Sequence, residues 1–168
     1  ALCAQGNDVT WKDMAKLCDV FYIGGTKNGA LFGEALVILN DALKPDFRYY
    51  IKQNGGMLAK GRLLGIQFEV LFADDLYWRN AKHANAAAQK IAAHLQQLGV
   101  KMLIDSASNQ IFPIFTDEVL KKLRTQFELG TWERVDESHT AVRIVTSWDT
   151  SEKAVRIFNQ AVSRYLNA

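Results

Sequence analysis

Lys27 is the residue whose type and setting point most directly to chemistry. It lies in Gly24-Gly-Thr-Lys-Asn-Gly29, between two apolar stretches, 19–23 and 30–39. A lysine at the end of two buried strands sits close to a core. Partial burial lowers the pKa of its amine, which is what a Schiff-base nucleophile needs. Flanking glycines let a planar group approach the backbone closely. The same residues have a plainer reading, because Asn28-Gly29 between apolar strands is a strong hairpin signal. Both can hold, since a turn can carry a reactive lysine. The segment is not a P-loop, because no Gly-Lys-Ser/Thr closes the frame. Elsewhere the chemistry-bearing types read blandly. Arg143, on an alternating segment, is by default an exposed, salt-bridging arginine. His83, His94 and His139 are not at ligand spacing and read as surface or helix-packing residues. Cys3 and Cys18 form neither CxxC nor a zinc pattern and read as small buried hydrophobes. Trp11, Trp78, Trp132 and Trp148 read as core or interface aromatics rather than ring-stackers. Asp74-Asp75 reads as a helix start and Lys121-Lys122 as a solvated helix face, so no metal site is expected.

The elements that position these residues follow from periodicity and caps. Thr10, with Asp13 three residues on, caps a short helix through Trp11, Met14, Ala15 and Cys18. Residues 19–23 are rich in β-branched and aromatic types and read as a strand. Residues 30–39 read as a second, nearly all-apolar strand, the kind found inside layered α/β structures. Pro45 opens a helical region reaching Phe72, divided at Gly55-Gly56. Asp74-Asp75 starts a long helix whose buried stripe is Ala84, Ala87, Ala88, Ile91, Leu95 and Leu98, with Gly99 at its C-terminal cap. Strands at 100–104 and 110–115 follow, then a helix capped by Thr116. Residues 131–135 and 140–146 alternate as a β-hairpin. Asp149 with Glu152 predicts the start of a last helix burying Val155, Phe158, Val162 and Tyr165.

These elements make an α/β chain of two parts. Residues 76–168 form a small α+β domain with its connecting helix, an antiparallel sheet covered by helices. Residues 1–75 hold two strands that cannot cover themselves, because a stable sheet needs at least three with a packed face. This first part therefore reads as the edge of a larger mixed sheet, most of it outside the chain.

Composition bounds the partners. The chain has 168 residues, 49% hydrophobic and 23% charged, which is globular usage and excludes intrinsic disorder. Twenty basic against 18 acidic residues leave a net charge of +2. That is too small, and too scattered, to imply nucleic acid. No apolar run reaches the roughly 18 residues of a membrane helix. Two cysteines without a framework suit a reduced, cytoplasmic compartment. No signal peptide stands in residues 1–10, and the abrupt Ala-Leu-Cys start predicts a processed or truncated chain.

Four blocks in order then carry a resemblance. Phe21-Tyr-Ile-Gly-Gly-Thr-Lys-Asn-Gly-Ala-Leu-Phe-Gly-Glu-Ala-Leu-Val37 resembles the cofactor-lysine segment of the threonine aldolase and β-eliminating lyase family, pyridoxal-phosphate enzymes of the aspartate-aminotransferase fold. Gly55-Gly-Met-Leu-Ala-Lys-Gly61 is similar to the family's Gly-Gly-Met block, and His83-Ala-Asn-Ala86 to a family helix segment. Val142-Arg-Ile-Val-Thr146, followed by Asp149, resembles the strand bearing a substrate-carboxylate arginine.

The resemblance implies the C-terminal part of a pyridoxal-phosphate-dependent transferase fold, with residues 1–75 from the cofactor-binding large domain. It implies that Lys27 forms the Schiff base with the cofactor, and that Thr26 offers its hydroxyl to the cofactor phosphate. Arg143 would hold the substrate carboxylate through a bidentate fork, a task for Arg rather than Lys. Many members place a phosphate-binding arginine directly after Gly-Gly-Met. This chain has Leu58 there, and Lys60 or Arg62 is the substitute. The family's Asp-Gly-Ala-Arg-type motif, whose Asp pairs with the pyridinium nitrogen, lies upstream of the match, so a missing N-terminal half is expected and the isolated chain should be inactive. The implied reaction is cleavage of threonine, or a related β-hydroxy-α-amino acid, to glycine and an aldehyde, in a homodimer or tetramer. β-Elimination on the same fold, or a non-catalytic fragment or interaction domain, are the alternatives.

Overall fold

The computed structural model describes residues 1–166. Contacts divide the chain into two units: Asp8–Arg79 with Leu2, and the segment from Asn80 onward with Ala1 and Cys3–Asn7.

The unit of residues 8–79 begins with helix α1 (Trp11–Leu17). Its capping box forms as the Thr10/Asp13 spacing predicts, with Thr10 Oγ1 accepting from the Asp13 N–H and the Asp13 carboxylate accepting from the Thr10 N–H. Strands β1 (Val20–Gly24) and β2 (Glu34–Ile38) pair antiparallel, Val20 opposite Ile38 and Gly24 opposite Glu34. The second strand is shorter than the apolar run 30–39 predicts. Gly33 adopts φ 86°, and a Cβ there would lie 2.3 Å from Leu64 Cδ2, so the chain turns before β2 begins. Nor are the strands buried. Val20, Tyr22 and Leu36 remain 44%, 69% and 48% exposed, because two paired strands leave their apolar side chains uncovered.

Helices α2 (Phe47–Gln53) and α3 (Arg62–Phe72) follow, separated as expected by Gly55, which holds φ 74°. Trp11 stacks on Phe21 at 5.8 Å and meets the edge of Trp78 at 5.5 Å, so both tryptophans serve as packing aromatics. Helix α4 (Leu76–Gln97) begins later than Asp74-Asp75 predicts. Both aspartates have left-handed backbones, φ 48° and 57°, and make the kink between α3 and α4 rather than a first helical turn.

In the unit from residue 80 onward, α4 buries Ala84, Ala87, Ala88, Ile91 and Leu95 as its spacing predicts, and Gly99 closes it at φ 78°. The predicted strand at 100–104 is reduced to one bridge, Met102 to Pro113. Pro113 has no N–H to extend a ladder. The same proline region divides the predicted strand at 110–115 into β3 (Gln110–Ile111) and β4 (Ile114–Thr116). Helix α5 (Asp117–Leu123) follows, capped by Thr116 Oγ1 accepting from the Val119 N–H at 3.3 Å. Strands β5 (Gly130–Arg134) and β6 (His139–Val145) form the expected hairpin. Strand β6 is central. It pairs antiparallel with β3 and β4 on one edge and with β5 on the other.

The last helix, α6 (Glu152–Leu166), is capped by Ser151 rather than Asp149, since Ser151 Oγ accepts from the Ala154 N–H at 3.1 Å. Asp149 instead accepts from Ser147 Oγ at 2.5 Å, and Glu152 pairs with Lys90. Leu95, Ile111, Phe115, Leu123, Val142 and Val162 are the centre of the core, each at most 2% exposed.

The β5–β6 turn is held by one carboxylate. Asp136 accepts the N–H groups of Ser138 and His139 at 2.8 and 2.9 Å, and lies 2.9 Å from His139 Nδ1. Those hydrogen bonds, the Ser138 N–H first, lower its pKa from 3.8 to about 2. A carboxyl depressed on folding contributes stability above its unfolded pKa and loses it as pH falls through the folded value. The turn should therefore weaken between about pH 4 and pH 2. Thermal midpoints across that range should fall less steeply in Asp136→Asn than in the unsubstituted chain, and parallel slopes would count against it.

Candidate functional site

Lys27 lies in a 3-10 turn, Thr26–Asn28, that leaves β1 and ends at Gly29 with φ 111°. The hairpin reading is right about pairing, since β1 and β2 are antiparallel neighbours. It is wrong about the tight turn, because the connection loops out through this 3-10 turn, closed by Asn28 N–H to Gly25 O at 2.9 Å and Ala30 N–H to Gly25 O at 3.0 Å. Thr26 and Lys27 are exposed. The partial burial expected of Lys27 is absent, for the same reason that β1 and β2 are open: nothing in residues 8–79 packs over the turn's outer side. Among the described residues, neither the Lys27 ammonium nor the Thr26 hydroxyl has a hydrogen-bond or ion-pair partner.

The inner side of the turn is firmly seated. Gly25 is buried, and a Cβ there would lie 2.6 Å from Ala30 Cβ and 3.0 Å from Phe68 Cζ. Phe68 stacks on Phe72 at 6.3 Å, Phe72 on Tyr77 at 5.1 Å, and Tyr77 Oη donates to Gly24 O at 2.9 Å. A row of rings thus starts under Gly25 and returns to Gly24. Gln67 of α3 clamps the following loop, its Oε1 accepting from the Leu31 N–H at 2.7 Å and its Nε2 donating to Phe32 O at 3.2 Å. Sequence reasoning missed this clamp, because a lone glutamine on a helix carries no local signal. The arrangement fits a planar, carbonyl-bearing group: an unpaired amine on a turn whose glycines leave no side chain in the way. Gly25→Ala is expected to displace the turn, since Ala30 is backbone-fixed and the Phe68 ring is locked in its stack. The expected result is faster amide exchange across residues 24–33 with exchange in the Asn80-onward core unaltered; equal exchange in both variants would count against it.

Lys60 and Arg62 stand at the entry to α3, both exposed and, among the described residues, without an ion-pair partner. Leu58, where the family pattern has arginine, is 50% exposed. Lys60 and Arg62 are therefore unspent, unlike Lys44, which pairs with Asp41, and this suits binding of a phosphate. Arg143 belongs to the other unit. It lies on β6, exposed between the buried Val142 and the half-buried Ile144. Instead of the salt bridge expected by default, its Cζ lies 5.7 Å from the centroid of the Trp132 ring. Trp132 is thus a packing aromatic, set against Phe112 at 5.0 Å, that also meets a cation.

The histidines have packing partners: His83 Nε2 lies 2.9 Å from Thr150 O, and His94 Nε2 lies 2.8 Å from Ser163 Oγ. Cys3 and Cys18 are free and half-buried rather than fully buried. Among the described residues no group of three or more metal-ligating side chains occurs, and no helix is long and apolar enough to cross a membrane.

The solved structure of Leishmania major threonine aldolase is similar at a TM-score of 0.94 and 45% identity, over 99% of this chain and 48% of that one. Low-specificity L-threonine aldolases from Pseudomonas sp. (strain NCIMB 10558) and Pseudomonas aeruginosa are 33% and 31% identical over 150 residues, 89% of this chain. The chain spans 42% of the length of those curated relatives. Sphingomonas wittichii serine palmitoyltransferase shares the fold alone, at a TM-score of 0.53 and 13% identity over 79% of this chain. No protein-family model matches.

Proposed function

The homologues of this chain are threonine aldolases, and from that premise we propose that the protein it belongs to is a pyridoxal-phosphate-dependent carbon–carbon lyase. Its substrate is threonine or a related β-hydroxy-α-amino acid, cleaved to glycine and an aldehyde. The observation that carries this reading is the near-complete overlap with the Leishmania major threonine aldolase, 45% identical over 99% of this chain.

In this proposal residues 1–75 contribute the cofactor side and residues 76–168 the small domain. Lys27 is the attachment residue, and its unpaired amine on a glycine-flanked turn supports that role. The Thr26 hydroxyl and the unpaired cations Lys60 and Arg62 bind the phosphate, filling the role that Leu58 cannot. Bound pyridoxal phosphate supplies the electron sink for the pair released when the Cα–Cβ bond breaks. Arg143 grips the substrate carboxylate with two parallel N–H donors, which fixes the amino acid's orientation and so the bond to be broken. The longer protein contributes an N-terminal half, works as a homodimer or tetramer, and resides in the cytoplasm.

The test uses the full-length protein, supplied with cofactor and threonine. Borohydride reduction followed by peptide mass mapping should find a pyridoxyl group on Lys27, and the products should be glycine and an aldehyde. A 2-oxo acid and ammonia would reassign the reaction to β-elimination. An unmodified Lys27 in cofactor-saturated protein would remove the attachment role.

A further inference from the structure

We propose that Trp132 is a positioning residue for Arg143, holding the guanidinium fork open for the substrate carboxylate. The inference rests on the proposed carboxylate role of Arg143 and adds a residue to it.

On the β5–β6 ladder Gly130 lies directly opposite Arg143, so no side chain faces the arginine from its cross-strand partner. The pairing then shifts between Thr131 and Glu133, and Trp132 is the residue taken out of step. A bulge bends a strand and re-aims one side chain. Here it accompanies an indole set 5.7 Å from Arg143 Cζ. The other side of the indole is anchored. Trp132 packs on Phe112 with centroids 5.0 Å apart and planes at 60°, and Phe112 is only 8% exposed. Core, ring and cation therefore form a graded series: Phe112 buried, Trp132 49% exposed, Arg143 exposed.

What the ring leaves undone matters as much. Among the described residues Arg143 has no hydrogen-bond or ion-pair partner, although the nearby Arg134 engages Asp117 and Thr140. A carboxylate neighbour would hold Arg143 still but would occupy the donors a substrate needs. An aromatic face attracts the guanidinium through the ring's quadrupole and leaves its N–H fork unengaged. Trp132 thus restricts a long, mobile side chain without competing for its ligand, which lowers the ordering cost at the moment of binding.

The experiment uses the full-length holoenzyme with Trp132→Leu, Trp132→Phe, Arg143→Ala and the Trp132→Leu/Arg143→Ala double variant. KM for threonine and kcat are measured for each, with the affinity for a 2-amino alcohol that lacks the carboxylate. Trp132→Leu should raise KM about three- to tenfold while kcat stays within about twofold. Trp132→Phe should restore most of the loss. The double variant should bind threonine no more weakly than Arg143→Ala alone, and amino-alcohol affinity should not change. Fluorinated tryptophans at position 132 preserve shape and weaken the ring's negative face. KM should rise stepwise with fluorine number, a trend a purely structural role would not produce, and this series decides the matter if Trp132→Leu fails to fold. An unchanged KM, additive losses in the double variant, or equal loss of the amino alcohol would each overturn the positioning role while leaving the carboxylate reading intact. Unaltered threonine affinity in Arg143→Ala would remove both.

Discussion

Lys27→Ala in the full-length protein should eliminate the borohydride-fixed adduct and lower the turnover of threonine by about 10²- to 10⁴-fold or more, the range lost with a positioned proton-transfer or attachment group. Lys27→Arg should be as inactive, because a guanidinium stays protonated and cannot act as the nucleophile. Folding should survive both changes. Lys27 is exposed and, among the described residues, its ammonium touches no partner, so thermal midpoints should move little, as for surface substitutions within about 0.5 kcal/mol. An intact fold with no adduct is the informative combination. Lys60, also exposed and unpaired, is the built-in control: an adduct found there in Lys27→Ala would transfer the attachment role to it. The expectation that burial activates Lys27 is unmet within this chain, where the turn's outer side stands open. The reading therefore requires residues of the longer protein to cover the turn and favour the neutral amine.

How much of this was legible in the sequence depends on range. Caps are local: Thr10 with Asp13, Thr116 with Val119, and Gly99 after the alanine stripe all form where their spacing predicts. The misreadings arise where one residue's backbone demand overrides a run of propensities. Gly33 cuts short an apolar stretch that looks like continuous strand, and Pro113 breaks a β-rich segment into two. Asp74 and Asp75 read as a helix start because aspartate favours N-caps. Their short side chains equally suit a left-handed kink, and nothing local separates the two. Ser151 took the cap from Asp149 because its hydroxyl is the one a residue before α6.

The candidate site divides the same way. Lys27 stands out in the sequence by its glycine-flanked setting between two apolar stretches, and Thr26 and Arg143 are candidates by block resemblance, with no contact needed. Gln67 and Trp132 were not, because each acts through a partner distant in sequence or through a bulge. The one available signal for Trp132 was the hairpin itself, since pairing residues 131–135 with 140–146 brings Trp132 beside Arg143. Aromatic residues near a cation on neighbouring strands deserve that check before being assigned to a core.

The second large effect concerns where the chain's apolar surface is satisfied. Phe115→Ala should cost about 3–5 kcal/mol, the usual loss for a buried aromatic whose cavity cannot collapse. Phe115 is 1% exposed and sits on β4 among Leu95, Leu123 and Val162, each 0% exposed, so little around it can move inward. Leu36→Ala on β2 removes comparable apolar bulk, yet should cost no more than about 0.5 kcal/mol in this chain, because Leu36 is already 48% exposed. In the longer protein the two results should converge. If further strands cover β1 and β2, Leu36 becomes a core residue and its truncation should cost about 2–5 kcal/mol. Denaturant midpoints for both variants, in this chain and in the full-length protein, make the comparison. A Leu36→Ala cost that stays small in the full-length protein would mean that the open faces of β1 and β2 remain in solvent there, and with them the turn that presents Lys27. The same pair of measurements thus bears on stability and on the covered environment the proposed chemistry requires.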